Sequence, residues 1–199
     1  KINPNYAEAH SNLGSILIKT GKLHEAEIYT RKAIKINPGF AKAHSNLGSI
    51  LIDSGKLHEA EICTRKAIKI NPDFAEAYFN LGTVLINLGK LNEAEICTRK
   101  AIEINPEYID AHLNLGSIMR NIGRSKESFS SYLRLIEINP NDPRIYSFTT
   151  ELLRDSDLSQ LNKSNLKNIL NILLEKDNLS HKELFKAFIF LYRNKIINN

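Results

Sequence analysis

The hydrophobic residues follow a helical spacing that restarts at regular intervals along the chain. In one stretch, Ala43, Leu47, Ile50 and Leu51 fall at i, i+4, i+7 and i+8, which places them on one side of a helix. Gly55 follows this stretch, and a glycine at that place favours a helix end and a tight turn. The pattern therefore predicts an amphipathic first helix and then a turn.

A second helix is predicted after the turn, beginning near Leu57. Its inner side is expected to bury Ala60, Ala67, Ile68 and Ile70. The two small alanines allow a neighbouring helix to approach closely. On the outer side, Glu61 and Arg65 form an i,i+4 pair of opposite charges. The two predicted helices together make a helix–turn–helix unit.

Each unit ends at an Asn-Pro pair, and the unit recurs every 34 residues. Asn71 precedes Pro72, and a residue before proline disfavours the helical conformation. Asp73 is then expected to cap the next first helix. The period is marked by Pro4, Pro38, Pro72, Pro106 and Pro140, by Gly14, Gly48, Gly82 and Gly116, and by Gly21, Gly55, Gly89 and Gly123. The spacing defines four units, at residues 2–35, 36–69, 70–103 and 104–137, within a domain that spans 1–142.

The first three units share the skeleton A-x-A-[HY]-x-N-L-G, then G-K, E-A and A-I-x-I-N-P, and the fourth drifts from it. This skeleton resembles the tetratricopeptide repeat (TPR) over about residues 1–142. The resemblance implies an all-α, right-handed superhelical solenoid whose first helices line a concave groove. The second helices depart from the family, which usually has a large aromatic residue where this chain has Thr30, Thr64 and Thr98, with Phe129 or Tyr132 nearby in the fourth unit. Packing of these helices is expected to differ in detail.

The period decays after residue 142. Helices are predicted at Pro143–Arg154, Ser164–Lys176 and Ser180–Lys195, the last two starting at serine, with a loop or short turn over 155–164. We expect residues 143–199 to form a helical C-terminal cap on the apolar end of the array. The last helix contains AFIFLY, which is apolar around the helix and predicts burial on more than one side. Alternative partners for this helix are a second copy of the chain and a further domain of a longer parent protein.

Charge, apolar run length and cysteine spacing exclude several classes of protein. The net charge of +5 is spread along the chain, whereas nucleic-acid binders concentrate basic residues on one face, so no nucleic-acid partner is predicted. The longest apolar run has six residues, too short to span a membrane. Cys63 and Cys97 occupy equivalent positions of successive units, roughly 9–10 Å apart by helix packing, which is too far for a disulfide. Unpaired thiols favour a cytoplasmic protein.

No pattern of catalytic residues is found. The chain contains no GxGxxG, Walker or GxSxG motif, and its equivalent histidines are too far apart to share a metal. We therefore predict no catalytic residue, no metal and no cofactor within this segment, which is expected not to be an enzyme. The segment is expected to be a protein-binding scaffold. Alternatively, it is the substrate-recognition arm of a larger glycosyltransferase- or oxygenase-type enzyme, or a self-associating structural scaffold.

The resemblance places one asparagine of each first helix on the concave face, with a hydroxyl residue beside it. The predicted groove residues are Asn12, Asn46, Asn80 and Asn114, with Ser15, Ser49, Thr83 and Ser117. A carboxamide both donates and accepts hydrogen bonds, so one asparagine per ~10 Å can hold about every third residue of an extended peptide, which rises ~3.3 Å per residue. This arrangement is similar to the asparagine-lined groove of the TPR region of O-GlcNAc transferases. Alternatively, the asparagines bond only to a neighbouring helix.

Two further features of the groove bear on the partner. Phe79 and Leu113 replace serines of the first two units, and Arg120 replaces an isoleucine, so these three residues are candidate anchors for a protein or extended-peptide ligand. Ordinary drift of a degenerate last unit is the alternative. Lys42 is the single basic residue at its repeat position, which argues against the Lys/Arg clamp that some TPR proteins use for a C-terminal carboxylate.

Overall fold

The computed structural model describes residues 6–139, 142–155, 157–174 and 181–196, and within these it is all-α. The described residues form helices of 12–16 residues, with one 3-10 turn at Leu158–Gln160. The α-helices are α1 (Ala7–Lys19), α2 (Leu23–Ile36), α3 (Ala41–Asp53), α4 (Leu57–Ile70), α5 (Ala75–Asn87), α6 (Leu91–Ile104), α7 (Ile109–Asn121), α8 (Ser125–Ile138), α9 (Pro143–Asp155), α10 (Lys163–Leu174) and α11 (His181–Ile196). None of the described helices is long and apolar enough to cross a membrane.

Glycine ends each first helix in the way that the sequence predicts. Gly55 has φ +73°, a left-handed conformation that residues with a Cβ rarely adopt. Its N–H donates to Ile52 O at 3.0 Å, and the Lys56 N–H donates to Leu51 O at 2.8 Å. These two bonds form a Schellman motif, which satisfies the last carbonyls of α3 and turns the chain into α4.

The chain divides into two compact units, Lys1–Ala111 and His112–Asn199, and each is described by itself. In the first unit, α1 pairs with α2, α3 with α4, and α5 with α6. Each pair packs on the next through α2 against α3 and α4 against α5. The shared interior contains Leu47, Leu51, Ala60 and Val84, which are at most 2% exposed. Each helix pair thus buries its apolar side against its neighbour, as a repeat array requires.

The threonines that replace the usual aromatic residue pack directly against the mid-helix glycines. A Cβ placed on Gly48 would lie 2.5 Å from Thr64 Cγ2, and one on Gly82 would lie 2.7 Å from Thr98 Oγ1. In the second unit, Gly116 faces the ring of the fully buried Tyr132, which occupies the same repeat position as Thr64. Within this chain, the first three repeat units therefore place a threonine at this contact and the fourth places a tyrosine ring, while a difference from other family members stays a prediction.

Three local predictions from the sequence are wrong. Asp73 does not cap α5, because the helix begins after Phe74 without a side-chain cap; the Asp73 N–H itself donates to Asn71 Oδ1 at 3.1 Å. Ile68 and Ile70 are only half-buried, whereas Ala60 and Ala67 are fully buried. The remaining error concerns the start of α10, in the second unit.

The second unit contains the end of α7 and helices α8–α11, with α9 packed on α8 and α11 packed on α9 and α10. Helix α10 begins at Lys163 and is capped by Asn162, whose Oδ1 accepts from the N–H groups of Ser164 at 2.9 Å and Asn165 at 3.2 Å. Ser164 is therefore not the cap. The predicted start of the last helix at Ser180 lies outside the described residues.

Helix α11 buries one side. Leu184 and Ala187 are at most 1% exposed, but Phe185 is 63% and Phe188 39% exposed. The Phe188 ring packs instead on Tyr192, with ring centroids 4.9 Å apart. The expected burial around the whole helix is therefore not observed in its described part. Contact with a second copy or with a further domain stays a prediction.

Candidate functional site

The candidate groove face of the first unit is formed by α1, α3 and α5. These first helices contact one another in order, α1 with α3 and α3 with α5. Each contributes one asparagine: Asn12 is exposed, while Asn46 and Asn80 are only 4% and 5% exposed. The interior asparagines therefore lie at the junction between successive helices.

The carboxamide nitrogen of Asn46 bonds to the preceding helix. Nδ2 donates to Ser15 Oγ at 2.9 Å and to Ser11 Oγ at 3.1 Å. Ser15 Oγ in turn donates to the main-chain oxygen of Ser11 at 3.2 Å, so it accepts from Asn46. The hydroxyl of Ser15 thus orients Asn46 with its nitrogen towards α1.

Asn80 repeats this arrangement one helix further along. Its Nδ2 donates to Ser45 Oγ at 3.0 Å and to Ser45 O at 3.3 Å. A carbonyl oxygen only accepts, so the atom that faces it is the nitrogen. Within the described part of the chain, the Oδ1 atoms of Asn46 and Asn80 accept no hydrogen bond. These two oxygens are also not fully buried. Two acceptors are therefore oriented by the scaffold and left open.

The outer two asparagines differ from this pair. Asn12 Oδ1 accepts from Lys42 Nζ at 3.4 Å, so the exposed first asparagine is linked to α3. Asn114 lies in the second unit, where it is half-buried and has an interaction of its own. The arrangement with an oriented nitrogen and an open oxygen is thus observed at Asn46 and Asn80.

The hydroxyl residues beside the asparagines are half-buried. Ser15 and Thr83 bond back to the carbonyl four residues earlier, at 3.2 Å and 3.1 Å. Ser49 and Ser117 are half-buried at the equivalent positions. These residues contribute small polar surface next to the asparagines, and Ser15 also orients Asn46.

The three predicted anchor residues have different environments. Phe79 is half-buried in the first unit, and its ring centroid lies 5.0 Å from that of Tyr108. Leu113 is 5% exposed, and Arg120 Nη1 pairs with Glu151 Oε2 at 2.6 Å within the second unit. Phe79 is therefore the member of this set with aromatic surface available, and the anchor role of all three stays a prediction.

Tyr108 was not predicted from the sequence as part of the site. A signal for it exists, because an aromatic residue precedes every first helix at the 34-residue period, as Tyr6, Phe40, Phe74 and Tyr108. In the structure its ring packs on Phe79, and burial raises the pKa of its hydroxyl. The pair forms an aromatic patch between α5 and the residue that precedes α7.

The groove face also carries one half-buried acid. Burial raises the pKa of Glu76, against the opposing charge of Lys42. Lys42 is bonded to Asn12, and Glu76 and Asp110 are acidic at its repeat position. This charge distribution does not offer the cluster of cations that binding a terminal carboxylate requires.

His10, His44, Cys63 and Cys97 pack against neighbouring groups or are shielded from solvent. His44 is buried, with Nε2 3.0 Å from Pro38 O, and the His10 ring stacks on Tyr29 at 5.8 Å between centroids. Cys63 and Cys97 are free thiols whose pKa values are raised by burial. No group of three or more His, Cys, Asp or Glu side chains that could hold a metal occurs among the described residues.

Comparisons with known proteins agree with this geometry. Models described as Tetratricopeptide repeat match residues 7–40, 75–108 and 109–142, and a model described as TPR repeat matches 48–89. A comparison with curated protein sequences gives no significant match.

Solved structures share the fold at low sequence identity. PilF of Pseudomonas aeruginosa is 20% identical with a TM-score of 0.76, over 95% of this chain and 84% of that one. YrrB, described as a TPR protein with an unusual peptide-binding site, is 20% identical with a TM-score of 0.65, over 97% and 94%. An O-GlcNAc transferase of Thermobaculum terrenum is 21% identical with a TM-score of 0.63, over 66% of this chain and 26% of that one.

The matched models together cover residues 7–40 and 48–142, the helix pairs recur at the family's 34-residue period, and the neighbouring structures are TPR solenoids. The chain is therefore an all-α TPR solenoid and a protein-interaction scaffold, and it belongs to the tetratricopeptide repeat family.

Proposed function

We propose that the chain binds an extended peptide segment of a partner protein along the face formed by α1, α3 and α5. The observation that carries this proposal is the orientation of Asn46 and Asn80. Each uses its nitrogen on the neighbouring helix and keeps its carboxamide oxygen open. An open acceptor on a rigid helix suits the N–H group of a peptide main chain.

The two hypotheses for the asparagines are compatible in this arrangement. The bonds to Ser15 and Ser45 stabilise the array, and they also hold the oxygens in place before a ligand arrives. An acceptor that is already ordered loses little side-chain entropy on binding. Because the asparagines read the main chain, the groove accepts many sequences, and specificity comes from neighbouring surface such as the Phe79–Tyr108 patch.

Two neighbouring structures support the proposal by analogy. YrrB is described as having a peptide-binding site, and the O-GlcNAc transferase shares the fold over 66% of this chain. The second neighbour also favours a second candidate function, in which this chain is the recognition arm of a larger enzyme. In that case the same groove would hold the segment to be modified. Reading the complete parent gene separates the two candidates, since the second requires a catalytic domain.

The test uses a random peptide library displayed on phage and selected on the immobilised chain. Affinities of selected peptides are then measured for the wild type, Asn46→Ala and Asn80→Ala. Each variant is expected to bind about fivefold to tenfold more weakly, the equivalent of one hydrogen bond. Asn92→Ala changes an exposed asparagine of α6 and is the matched control. Unchanged affinity in both groove variants, with the helical CD signal preserved, would defeat the proposal.

Phe79 is tested with the same peptides. If the Phe79–Tyr108 patch anchors a ligand side chain, Phe79→Ala weakens binding by about tenfold or more, as central aromatic contacts do. Leu113→Ala and Arg120→Ala are measured beside it, so that the three predicted anchors are judged separately. Equal binding by Phe79→Ala and the wild type would remove the anchor hypothesis and leave the asparagine hypothesis standing.

A further inference from the structure

A row of exposed isoleucines runs across the second helices of the first unit, on α2, α4 and α6. Ile28, Ile62 and Ile96 occupy one repeat position and are 42%, 70% and 70% exposed. Single exposed apolar residues are ordinary on protein surfaces, but three at successive equivalent positions form a continuous apolar row. We call Ile28, Ile62 and Ile96 the isoleucine row.

Ion pairs hold the three helices of this row side by side. Glu27 of α2 pairs with Lys56, at the start of α4, at 3.1 Å, and Arg31 of α2 pairs with Glu59. The same pairs recur between α4 and α6, as Glu61 with Lys90 at 3.1 Å and Arg65 with Glu93 at 3.3 Å. These ion pairs therefore link successive second helices, each of which carries one isoleucine of the row.

Lysines without acidic partners lie beside the row. Lys32 and Lys35 follow Ile28 at i+4 and i+7, and Lys66 and Lys69 follow Ile62 at the same offsets, so they share its side of the helix. All four are exposed, and none forms an ion pair within the described part of the chain. On α6 the basic edge ends, because Lys100 pairs with Glu103 at 2.7 Å.

We propose that the isoleucine row and its lysines are a docking surface for an acidic amphipathic helix of a partner protein. Charge complementarity identifies the partner: acidic residues would face the four lysines that lack an acidic partner, and apolar residues would cover the isoleucines. Of these lysines, Lys32 has its Nζ 5.2 Å from the Tyr29 ring centroid. Residues seven apart on a helix lie on one side of it, about 10.5 Å apart, so a heptad of apolar residues gives the bound helix one apolar side for the row. The distance from Ile62 to Lys69 along α4 is also about 10.5 Å, close to the 10–12 Å diameter of a helix. One helix laid across α2, α4 and α6 therefore covers both features.

The surface is separate from the groove, since it lies on the second helices and uses neither asparagine. It would allow the scaffold to hold two partners at once. The acidic edge of the bound helix is placed over α2 and α4, because the third repeat offers no unpaired lysine at the corresponding positions.

The test uses two synthetic helical peptides with leucine at every seventh position, one flanked by glutamate and the other by lysine. The wild type is expected to bind the glutamate peptide at least about tenfold more tightly, by fluorescence anisotropy. Ile62→Ser/Ile96→Ser should weaken this binding by about tenfold, and Lys66→Glu/Lys69→Glu, which leaves two lysines facing two glutamates, should abolish the preference between the peptides. Ile16→Ser, an isoleucine that is 59% exposed on α1, is the matched control and should bind like the wild type.

Several results would overturn the proposal. The peptides could bind equally well, or the isoleucine and lysine variants could bind like the wild type while CD shows intact helices. Binding of the wild type to phosphatidylserine vesicles, lost in Lys66→Glu/Lys69→Glu without any peptide preference, would assign the surface to membranes. Sedimentation that shows self-association lost in Ile62→Ser/Ile96→Ser would assign it to a second copy of the chain.

Discussion

The Nδ2 atom of Asn80 donates to the main-chain oxygen of Ser45 at 3.3 Å, across the junction between α5 and α3. Since a carbonyl oxygen cannot donate, this contact determines which end of the carboxamide faces the scaffold. The oxygen of Asn80 is left on the other side. One side chain thereby joins two repeats through its nitrogen and leaves its oxygen without a partner in the scaffold.

The scaffold role of Asn80 is tested by stability. Asn80→Ala removes the donor to both Ser45 atoms and is expected to destabilise the chain by about 1 kcal/mol, the usual net value of a buried hydrogen bond. Ser45→Ala keeps the main-chain acceptor and should cost less. Urea unfolding measures both, with the exposed Asn92→Ala as the control. A free energy of unfolding for Asn80→Ala that equals the wild type would contradict the role.

The contact between Gly48 and Thr64 makes a sharper prediction about packing. Gly48→Ala should improve helix propensity by about 1 kcal/mol, but its Cβ would lie 2.5 Å from Thr64 Cγ2, and overpacking costs about 1–3 kcal/mol. A net loss of about 1 kcal/mol is expected. Thr64→Ser removes that methyl group, so Gly48→Ala/Thr64→Ser should recover the loss in a double-mutant cycle. Additive changes in the free energy of unfolding would show that the Gly48 position and the Thr64 methyl group do not clash.

The lowered pKa of Glu61 predicts that the folded chain loses stability as the pH falls. The hydrogen-bonded Arg65 guanidinium lowers the pKa of Glu61, with Lys90 adding to it and burial opposing it. A lowered pKa in the folded state stabilises the fold above the unfolded pKa, and this contribution is lost as pH falls through the folded value. Glu61→Gln should therefore destabilise at pH 7, and its difference from the wild type should shrink as the pH falls below the ordinary glutamate pKa. Urea unfolding across this range, with the exposed Glu107→Gln as control, measures the effect. A difference in the free energy of unfolding between Glu61→Gln and the wild type that stays constant with pH would contradict this prediction.

The raised pKa of Glu76 predicts the opposite dependence of stability on pH. Burial raises its pKa above the ordinary value, with Lys42 opposing the shift. Its contribution to stability is therefore greatest below the unfolded pKa and is lost as pH rises through the folded value. Glu76→Gln should stabilise the chain at pH 7, with the advantage vanishing near pH 3. If Glu76→Gln is less stable than the wild type at pH 7, the carboxylate has a stabilising partner and this account of Glu76 is wrong.

The period of the sequence was sufficient to predict the helix pairs, because apolar spacing and the glycines at positions such as Gly55 are local signals. Helix starts were less predictable, because asparagines two residues before the predicted caps bond to the main chain there: Asn71 accepts from the Asp73 N–H, and Asn162 accepts from the Ser164 N–H.

The orientation of the groove asparagines lay beyond sequence reasoning. It depends on serines of a different helix, more than thirty residues earlier, as in the bond from Asn46 to Ser15. The exposure of the isoleucine row was likewise unforeseen, because an isoleucine in an amphipathic helix is ordinarily assigned to the core. The first feature follows from how neighbouring repeats dock. The second agrees with the helical spacing, since Ile62 lies two residues after the buried Ala60 and so on the opposite side of α4.

The central claim is that the open oxygens of Asn46 and Asn80 hold the main chain of an extended peptide. The most direct measurement is isothermal titration calorimetry with a library-selected peptide whose main-chain nitrogens are methylated one at a time. Methylation removes a single N–H donor and keeps every side chain. The account predicts about a tenfold loss of affinity at positions about three residues apart, and no such loss in Asn46→Ala/Asn80→Ala. Tolerance of methylation at every position would contradict it.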